Sequence, residues 1–359
     1  MPKQAIPYND FAIILTWPDA TIRGDEKWMM FFKKIGIVKN LNFKVGHTGI
    51  VLVDRKSGKM LFYDFGRYIA PRGYGRARSQ FSDPLLEIKL NAQFHENKIS
   101  NLQEVVEHFE LLKPAMYGEG KLFLSVVDGI NFSMARKYGD QCVIQGTYPY
   151  GAVARNNNNC SRFITRMLIK SSQRFHFWHM INLPETIKCS PISNLINTVS
   201  DRMIYSYTPQ DGLTRFRMNR FQSFGFLVRQ LGDNVFQTKA DLLPTDQIIG
   251  AVHYRSKPIT VPKEAMYLGG VGDGAWYTVS PQKSRQVIVK RFTTSGKLEY
   301  VVLGEADENF NPATSFEITY DSHLLFTHIL QEGVKIYIKH LKQLAINEYT
   351  YEHIQERYA

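Results

Sequence analysis

The amino-acid sequence predicts an α+β fold, in which an antiparallel sheet packs on helices and a separate β-rich module follows. The first observation is a β-hairpin pattern at 47–65, where two β-branched and aromatic runs flank a short turn. The second is a pair of amphipathic helix patterns on either side of it, at 25–39 and 101–113. The third is a change at about residue 262, after which short strand-like runs separated by turns replace the helical patterns.

The chain is long enough for two domains. It has 359 residues, of which 44% are apolar and 21% charged, so it can build real cores and carries too little charge for a disordered chain. We place a first domain at 1–200 and a connector at 201–261, where no clear period is visible. The β-rich module then covers 262–359 and ends in a helical tail.

The early elements of the first domain follow from apolar spacing and turn residues. The apolar run at 11–17 predicts a buried strand. In the helix predicted next, four residues share one apolar face: Trp28, Phe31, Phe32 and Ile35. In the hairpin, the segment RKSGK contains Gly58, which can adopt the positive φ of a tight turn. A loop of alternating Gly, Arg and Tyr follows at 66–79.

The later elements are marked by helix caps and breakers. Asn101 is a candidate N-cap for the helix at 101–113, and a strand is predicted at 121–127. A polar loop then leads into a helix within 155–171, for which Asn159 is a good N-cap candidate. In the β-rich module, the run VKIYIKHLKQLAI fits strand and helix templates alike.

Several classes of protein are excluded or disfavoured. No stretch approaches the roughly 18 consecutive apolar residues of a transmembrane helix. The N-terminal apolar run leads to no small-residue cleavage site, so we predict no secretory signal and expect the protein in the cytoplasm. The three cysteines, Cys142, Cys160 and Cys189, form neither a disulfide framework nor a CxxC pair. We therefore expect no metal and no other cofactor.

The positive charge is concentrated in the middle of the chain. The net charge is +11, and 151–230 contains eleven Lys and Arg against three acids, which gives 11 − 3 = +8. Such a segment suits an anionic partner, namely nucleic acid, lipid headgroups, a cell-wall polymer or an acidic protein, or it is an ordinary solvated surface. The segment TRFRMNRF at 214–221 fits either a single strand of nucleic acid or a β-strand with one buried face, and we favour the strand. No pattern predicts an oligomeric state.

The strongest candidate for chemistry is Cys160 with His47. His47 stands at the start of a predicted strand, and Cys160 stands at the first turn of a predicted helix. Free backbone N–H groups and the positive end of the helix dipole stabilise a thiolate at that position. An imidazole within hydrogen-bond reach adds to this effect and can later protonate a leaving group. Cys142 lies in a strand-like apolar run (QCVIQ) and Cys189 precedes Ser190-Pro191, so both lack such a context and we interpret them as structural.

The hairpin places a third group near the imidazole. A turn centred near Ser57-Gly58 makes the numbers of paired residues sum to about 112–115, so the partners of His47 lie at about 65–68. Asp64 lies within a residue or two of that window and is our candidate for orienting the ring. A register slip of one residue would bring Tyr63 to that face instead.

These motifs resemble a known family. A histidine first on a strand (HTGIVLV), a polar residue on the paired strand and Asn-Cys at a helix start (NCSRF) are similar to the circularly permuted branch of the NlpC-type papain-like superfamily. That branch includes the lecithin–retinol acyltransferase-like proteins and the YiiX-like hydrolases, and the resemblance covers about residues 10–180. It implies a papain-like core in which Cys160 is the nucleophile, His47 the base and Asp64 the third residue.

The resemblance implies a cysteine hydrolase that cleaves an amide, ester or thioester bond through an acyl-enzyme. Its substrate would be an acyl, peptide or lipid compound, which could be anionic. The alternative is a catalytically idle papain-like shell that binds an anionic partner such as an acidic protein, lipid headgroups or, less favoured, nucleic acid. The two hypotheses differ in whether Cys160 is required.

Residues near the motif are candidates for substrate binding. Asn159 precedes the cysteine, and the loop at 66–79 carries Arg76, Arg78 and Tyr74. Arginine binds carboxylate or phosphate through two parallel hydrogen bonds, and tyrosine stacks on ligands, so we interpret this loop as a substrate rim. The segment RFHFWHM, by contrast, has two histidines three residues apart but no third metal ligand nearby, and we interpret it as part of an amphipathic helix.

Overall fold

The computed structural model describes residues 7–152, 154, 156–173, 189–254 and 256–347. They divide into two compact units. The first unit comprises the described residues of 1–66, 77–80 and 86–248, and the second comprises those of 67–76, 81–85 and 249–359.

The strands of the first unit build one large sheet and two short ribbons. In chain order they are β1 (Asp10–Trp17), β2 (Ile22–Arg23), β3 (Asn42–Phe43), β4 (His47–Val53), β5 (Met60–Gly66), β6 (Tyr74–Ser79, which crosses the unit boundary), β7 (Phe94–His95), β8 (Lys98–Ile99), β9 (Leu122–Ile130), β10 (Thr147–Pro149), β11 (Met203–Thr208) and β12 (Gly212–Arg217). Eight of them form a sheet in the order β10-β6-β5-β4-β1-β9-β11-β12. The ribbons are β2-β3 and β7-β8.

The helices of this unit follow the amphipathic segments of the sequence. They are α1 (Lys27–Lys34), α2 (Leu102–Leu112), α3 (Phe132–Gln145), α4 (Cys160–Ser171), α5 (Pro191–Asn197), α6 (Arg220–Gly232) and α7 (Gln237–Ala240), with a 3₁₀ turn at Pro84–Leu86 on the boundary between the units. α2 packs its buried face, which contains Val105, Val106 and Phe109, into a core with strands β1, β4 and β5. α4 contacts α3 and the β4-β5 hairpin.

The predicted hairpin is present. β4 and β5 pair antiparallel with Gly49 opposite Asp64, so paired residue numbers sum to 113, within the predicted range. At the turn, Gly58 has a φ of 72°, and its carbonyl accepts a hydrogen bond of 2.8 Å from the backbone N–H of Ala92. The strand predicted at 11–17 is the central strand β1, which lies between β4 and β9.

The region at 201–261, which we assigned to a connector, contains strands and helices of the first unit. Residues 203–208 and 212–217 are the strands β11 and β12, which extend the large sheet beyond β9. β11 has no continuous apolar face, so periodicity did not predict it. The strand favoured at 214–221 overlaps β12, but β12 buries none of its residues fully, so the buried face expected for it is not present. The chain up to residue 248 therefore belongs to the first unit.

Three further local predictions are corrected. Part of the loop predicted at 66–79 is the strand β6, because large and small residues alternate along YGRARS. Cys142, which we placed in a strand-like setting, lies in helix α3. The side chain of Asn101 makes no capping bond to α2 and accepts a hydrogen bond from the backbone N–H of Gln93.

The second unit is a β module, as predicted. Its strands are β13 (Met266–Gly269), β14 (Gly274–Pro281), β15 (Gln286–Thr293), β16 (Leu298–Ala306), β17 (Glu317–His323), β18 (Phe326–Gln331) and β19 (Val334–Leu344). They pair in the order β13-β14-β15-β16-β19-β18-β17, and the Tyr320 hydroxyl of β17 donates to the Gly269 carbonyl of β13 at 3.0 Å. The first and last strands thus approach each other, and the sheet forms a nearly closed barrel.

Two further sequence-based expectations concern the C-terminal tail and membrane-spanning helices. The predicted helical tail lies, from residue 348 on, outside the described residues. Among the residues with described structure, we find no helix that combines the length and the apolar character needed to span a bilayer.

We expect Gly58→Ala to destabilise the first unit by about 2–4 kcal/mol, because it adds overpacking to a left-handed φ. A Cβ at Gly58 would lie 2.3 Å from the carbonyl oxygen of Ala92. The matched control is Gly36→Ala, since Gly36 has a φ of 77° and open space around it, and it should cost about 1 kcal/mol. Urea unfolding followed by circular dichroism measures both, and equal costs would show that the hairpin turn tolerates the overlap.

Candidate functional site

Cys160 is the first residue of helix α4. Asn159 is its N-cap, and the Asn159 side-chain oxygen accepts a hydrogen bond of 2.8 Å from the backbone N–H of Arg162. The first N–H groups of a helix have no acceptor within the helix, so those of Cys160 and Ser161 are left for other partners. The cysteine side chain is buried but not sealed, with 6% of the residue exposed.

His47 is the first residue of strand β4. It lies opposite Trp17, the last residue of β1, and the two rings stack with a centroid distance of 6.4 Å and an interplanar angle of 8°. Trp17 is fully buried. The flat indole therefore fixes the plane of the imidazole at the end of the central strand pair.

Asp64 reaches His47 across the hairpin. It lies opposite Gly49, and His47 precedes Gly49 by two residues, so alternation along the strands puts both side chains on one side of the sheet. Nε2 of His47 and Oδ2 of Asp64 are 3.0 Å apart. The sulfur of Cys160 lies close enough to the His47 ring to raise the pKa of the imidazole. Because Nε2 faces the carboxylate, Nδ1 is the nitrogen left for the sulfur.

Arg78 of β6 holds the carboxylate from the other side. Its Nε donates to Oδ1 of Asp64 at 3.0 Å and its Nη2 donates to Oδ2 at 2.6 Å, which makes a two-pronged ion pair. The guanidinium also lies over the ring of Tyr117, 4.8 Å from its centroid, and donates to the Ala115 carbonyl. Both members of the ion pair are buried, so the pair depends on its geometry rather than on solvent.

The electrostatics of this set favour a protonated imidazole. Burial lowers the pKa of His47, but its hydrogen bonds with Asp64 and Cys160 and the charges of both groups raise the pKa to about 9. Burial raises the pKa of Asp64, but the Arg78 charge and the hydrogen bonds from His47 and Arg78 bring it below its ordinary value. Asp64 is therefore a carboxylate at neutral pH, and His47 is a cation beside the sulfur.

Helix α5 braces the start of α4. The Asn194 side-chain amide donates to the Ser161 carbonyl at 2.9 Å, and its oxygen accepts from the Thr165 hydroxyl at 3.1 Å. At the other end of α5, the Pro191 carbonyl accepts a hydrogen bond from the Thr16 hydroxyl of β1. The first turn of the cysteine helix is thus tied to the strand next to β4.

The substrate-rim prediction for Arg76 and Arg78 is corrected by the structure. Only 1% of Arg76 and 3% of Arg78 is exposed. Arg76 donates twice to Asp83, at 2.8 and 2.7 Å, within the second unit, whereas Arg78 is bound to Asp64 in the first. Each guanidinium is therefore paired with a buried carboxylate of the chain itself. The alternation that places them in a β-strand also turns both inward.

The other predicted residues have different surroundings. Tyr74 is exposed, with 42% of its surface accessible, so its role at a substrate rim stays a prediction. Asn159 serves as the helix cap, and its contact with substrate also stays a prediction. Cys142 hydrogen-bonds with Tyr138, and burial raises the pKa of its thiol. Cys189 is buried immediately before α5. The segment RFHFWHM lies outside the described residues.

Sequence reasoning missed three residues of the site: Trp17, Arg78 in its role as the partner of Asp64, and Asn194. The alternation of YGRARS was the available signal for Arg78, because it predicts a strand beside the hairpin. Trp17 stands last in the first predicted strand, where antiparallel pairing with HTGIVLV would have placed it opposite His47. No signal in the sequence identifies Asn194. Within the described ranges, the structure brings together no group of three His, Cys, Asp or Glu that could hold a metal ion.

The site combines a buried thiol, an imidazole and a carboxylate, which are the groups found around activated cysteine nucleophiles. Residues 12–177, which contain all three groups, match the family model described as type VI secretion system effector TseH-like. Residues 265–341 match a second model, the DUF6695 C-terminal domain. The part of the chain that carries the site is therefore similar to TseH-like effectors. The circularly permuted branch named above is not identified by this match and stays a prediction.

Comparison with solved structures finds the crystal structure of the type VI secretion system effector TseH. It is 19% identical to this chain with a TM-score of 0.38, and the match covers 58% of this chain and 98% of that one. No curated protein matches this chain.

We expect Arg78→Met to destabilise the first unit by about 3–5 kcal/mol at neutral pH, because it leaves the Asp64 carboxylate buried without its counter-ion. The lowered pKa of Asp64 means that its contribution to stability is present above the unfolded pKa of about 4 and is lost as the pH falls below it. The difference between native protein and variant should therefore shrink in acid. Unfolding in urea at several pH values measures it.

The matched control for this prediction is Arg136→Met. Arg136 pairs with Asp140 at 3.2 Å on the surface of α3, and both side chains are about one-third or more exposed. Its loss should cost at most about 1 kcal/mol and depend little on pH. Equal effects of the two substitutions would show that the Arg78–Asp64 pair is not the anchor we describe.

Proposed function

We propose that the first unit is a cysteine hydrolase with a papain-like core, in which Cys160 is the nucleophile, His47 the general base and acid, and Asp64 the residue that orients the ring. The observation that carries the proposal is the His47 ring, which is hydrogen-bonded to Asp64 on one side, with Arg78 behind that carboxylate, and interacts with Cys160 on the other. The start of α4 supports the proposal, because a capped helix N-terminus favours negative charge on the sulfur.

The reaction begins when the Cys160 thiolate attacks the carbonyl carbon of an amide, ester or thioester and forms a C–S bond. The carbonyl oxygen becomes an oxyanion, for which the N–H groups of Cys160 and Ser161 at the helix start are candidate donors. The imidazolium of His47 gives its proton to the leaving nitrogen, oxygen or sulfur as the bond to carbon breaks. The product of this half is an acyl-enzyme on Cys160.

The second half restores the enzyme. His47, now neutral, accepts a proton from water, and the hydroxide attacks the acyl carbon. The C–S bond breaks, the acid product leaves, and the proton on His47 again faces the Cys160 thiolate. Asp64 gains no proton in either half, since its role is to hold Nε2 and to stabilise the imidazolium.

An effector role is a further part of the proposal. The match of residues 12–177 to a model of type VI secretion system effectors supports it. We propose that the hydrolase acts as such an effector rather than as a housekeeping enzyme of the cytoplasm. Its substrate would contain one of the three bond types above.

The proposed ion pair between the Cys160 thiolate and the His47 imidazolium is tested by alkylation. At about pH 6, where ordinary thiols are protonated, we expect iodoacetamide to label Cys160 faster than Cys142 and Cys189, as mapped by mass spectrometry. His47→Gln should slow labelling of Cys160 by about tenfold or more, and Asp64→Asn should slow it less. As the pH rises through about 9, His47 loses its proton, so the advantage of the native protein over His47→Gln should disappear.

The rate of alkylation also depends on how easily the reagent reaches the buried sulfur, so a second measurement detects the thiolate directly. The ultraviolet absorbance of the thiolate should distinguish the native protein from Cys160→Ser at the same acidic pH. Slow labelling with clear thiolate absorbance would still support the ion pair. Slow labelling without that absorbance would exclude an activated Cys160, and with it the hydrolase.

The effector role is tested by growth. Expression of the full chain in bacteria, once in the cytoplasm and once behind an export leader, should arrest growth in at least one compartment because the substrate bond is cleaved there. Cys160→Ala should abolish the arrest, and Cys142→Ala, a matched substitution away from the site, should not. Absence of arrest in both compartments, or equal arrest by Cys160→Ala, would refute an effector that works by hydrolysis.

A further inference from the structure

Helix α6 buries two polar residues and exposes a stripe of apolar ones. The residues that it buries are the polar Ser223 and Gln230, and the Gln230 side chain donates to the Pro18 carbonyl at 2.6 Å. This inward polar contact fixes the rotation of the helix. A helix on the surface of a soluble domain normally turns its apolar side toward the core.

Phe226 and Leu227 are half-buried on the same side as Ser223 and Gln230, but the other apolar residues of α6 form an exposed stripe. They recur at intervals of three and four residues along one face and onto the segment that follows the helix: Phe221, Phe224, Val228, Leu231 and Val235. All five are exposed, and Phe221 is 86% exposed. Scattered apolar residues on a surface need no explanation, but a continuous stripe at helical spacing indicates a surface that another phase or molecule covers.

Helix α1 repeats the pattern. Trp28, Phe31 and Ile35 also recur at intervals of three and four residues, and all three are about half exposed or more. Met29 is the one residue that α1 buries. Of the apolar face predicted for this helix, Phe32 packs against a small core and the other three residues are exposed.

The two helices are tied together within the first unit. The backbone N–H of Lys39, shortly after α1, donates to the carbonyl of Asn234, shortly after α6, at 2.8 Å. The Asn234 side chain returns a hydrogen bond of 2.9 Å to the Asn40 carbonyl. We call the exposed stripes of α1 and α6 together the aromatic–basic surface.

Basic residues accompany both stripes. Residues 27–39 contain four lysines and no acid, and residues 212–232 contain four arginines and no acid. Three of the acids near these segments are paired with lysine: Asp211 with Lys121 at 3.3 Å, Asp233 with Lys239 at 2.9 Å and Asp246 with Lys33 at 2.8 Å. Two further acids, Asp25 and Glu26, directly precede α1. The surface therefore presents Trp, Phe and aliphatic side chains among positive charges.

We propose that the aromatic–basic surface binds an anionic lipid bilayer. Interfacial helices have this composition, with Trp, Phe and Leu buried at the level of the lipid headgroups and Lys and Arg near the anionic phosphates. Two separate helices with the same composition suit a broad, uniformly negative surface, whereas a single partner helix would occupy one stripe. The binding would be peripheral, and it involves none of Cys160, His47 and Asp64, so it stands independently of the proposed hydrolase.

The test is sedimentation of the full-length protein with vesicles. We expect binding to vesicles that contain phosphatidylglycerol, and about tenfold or more weaker binding to vesicles of phosphatidylcholine alone or in about 0.5 M salt. F221S/F224S should weaken binding to the anionic vesicles by about tenfold or more. V334S/L341S is the matched control, because Val334 and Leu341 are exposed apolar residues of the second unit, and it should bind as the native protein does.

The outcomes separate the possible occupants. Thermal unfolding of each variant verifies that it is folded, which is expected because Phe221 and Phe224 are exposed. Equal binding by F221S/F224S and the native protein would overturn the proposal. A second result would also overturn it: the native protein does not bind anionic vesicles and is a dimer in analytical ultracentrifugation, whereas F221S/F224S is a monomer. The stripe would then be covered by a second copy of the chain. If iodoacetamide labels Cys160 in F221S/F224S at the same rate as in the native protein, the substitutions leave the candidate site unchanged.

Discussion

The buried ion pair between Asp64 and Arg78 is the interaction on which the site depends. A carboxylate with no exposure is stable only if positive charge and hydrogen bonds replace the water that it has lost. Arg78 supplies both through two bonds, and the remaining capacity of the carboxylate falls on Nε2 of His47. That contact makes the ring cationic and so places positive charge beside Cys160. Arginine, aspartate and histidine thus form a series of alternating charges that ends beside the sulfur of Cys160.

The fold delivers these groups with backbone geometry. The register of the hairpin puts Asp64 across from Gly49 and therefore diagonal to His47, and the start of α4 puts Cys160 where its own N–H has no helical acceptor. Trp17 and helix α5 hold the two halves of the arrangement, the ring by stacking and the first turn of the helix through Asn194. A site assembled from a strand end, a hairpin and a helix start tolerates little rotation of its groups, which suits a nucleophile that must be preorganised.

The sequence predicts the local parts of this arrangement and not its long-range contacts. The hairpin register and the helix start at Asn159-Cys160 come from turn chemistry and capping, which act over a few residues. Arg78 was missed as the partner of Asp64 because an arginine in a Gly-rich segment is typical of a solvated loop, and its burial follows from β6 joining the sheet. The strand β11 was missed because it has no full apolar face, and the strand favoured at 214–221 overlaps β12 only at 214–217, with none of its residues fully buried.

Helix α1 shows what apolar spacing leaves open. The spacing of Trp28, Phe31 and Ile35 correctly predicts a helix with one apolar face, but spacing states only that these side chains share a side. It does not state what covers that side, and in this fold it is not the core. Helix α6 shows the same separation more clearly, since its buried Ser223 and Gln230 fix a rotation that forces Phe221 and Phe224 outward. An apolar periodicity that the fold leaves exposed therefore supports the proposed contact with a bilayer, and the lysines and arginines near it fit the anionic headgroups of that proposal.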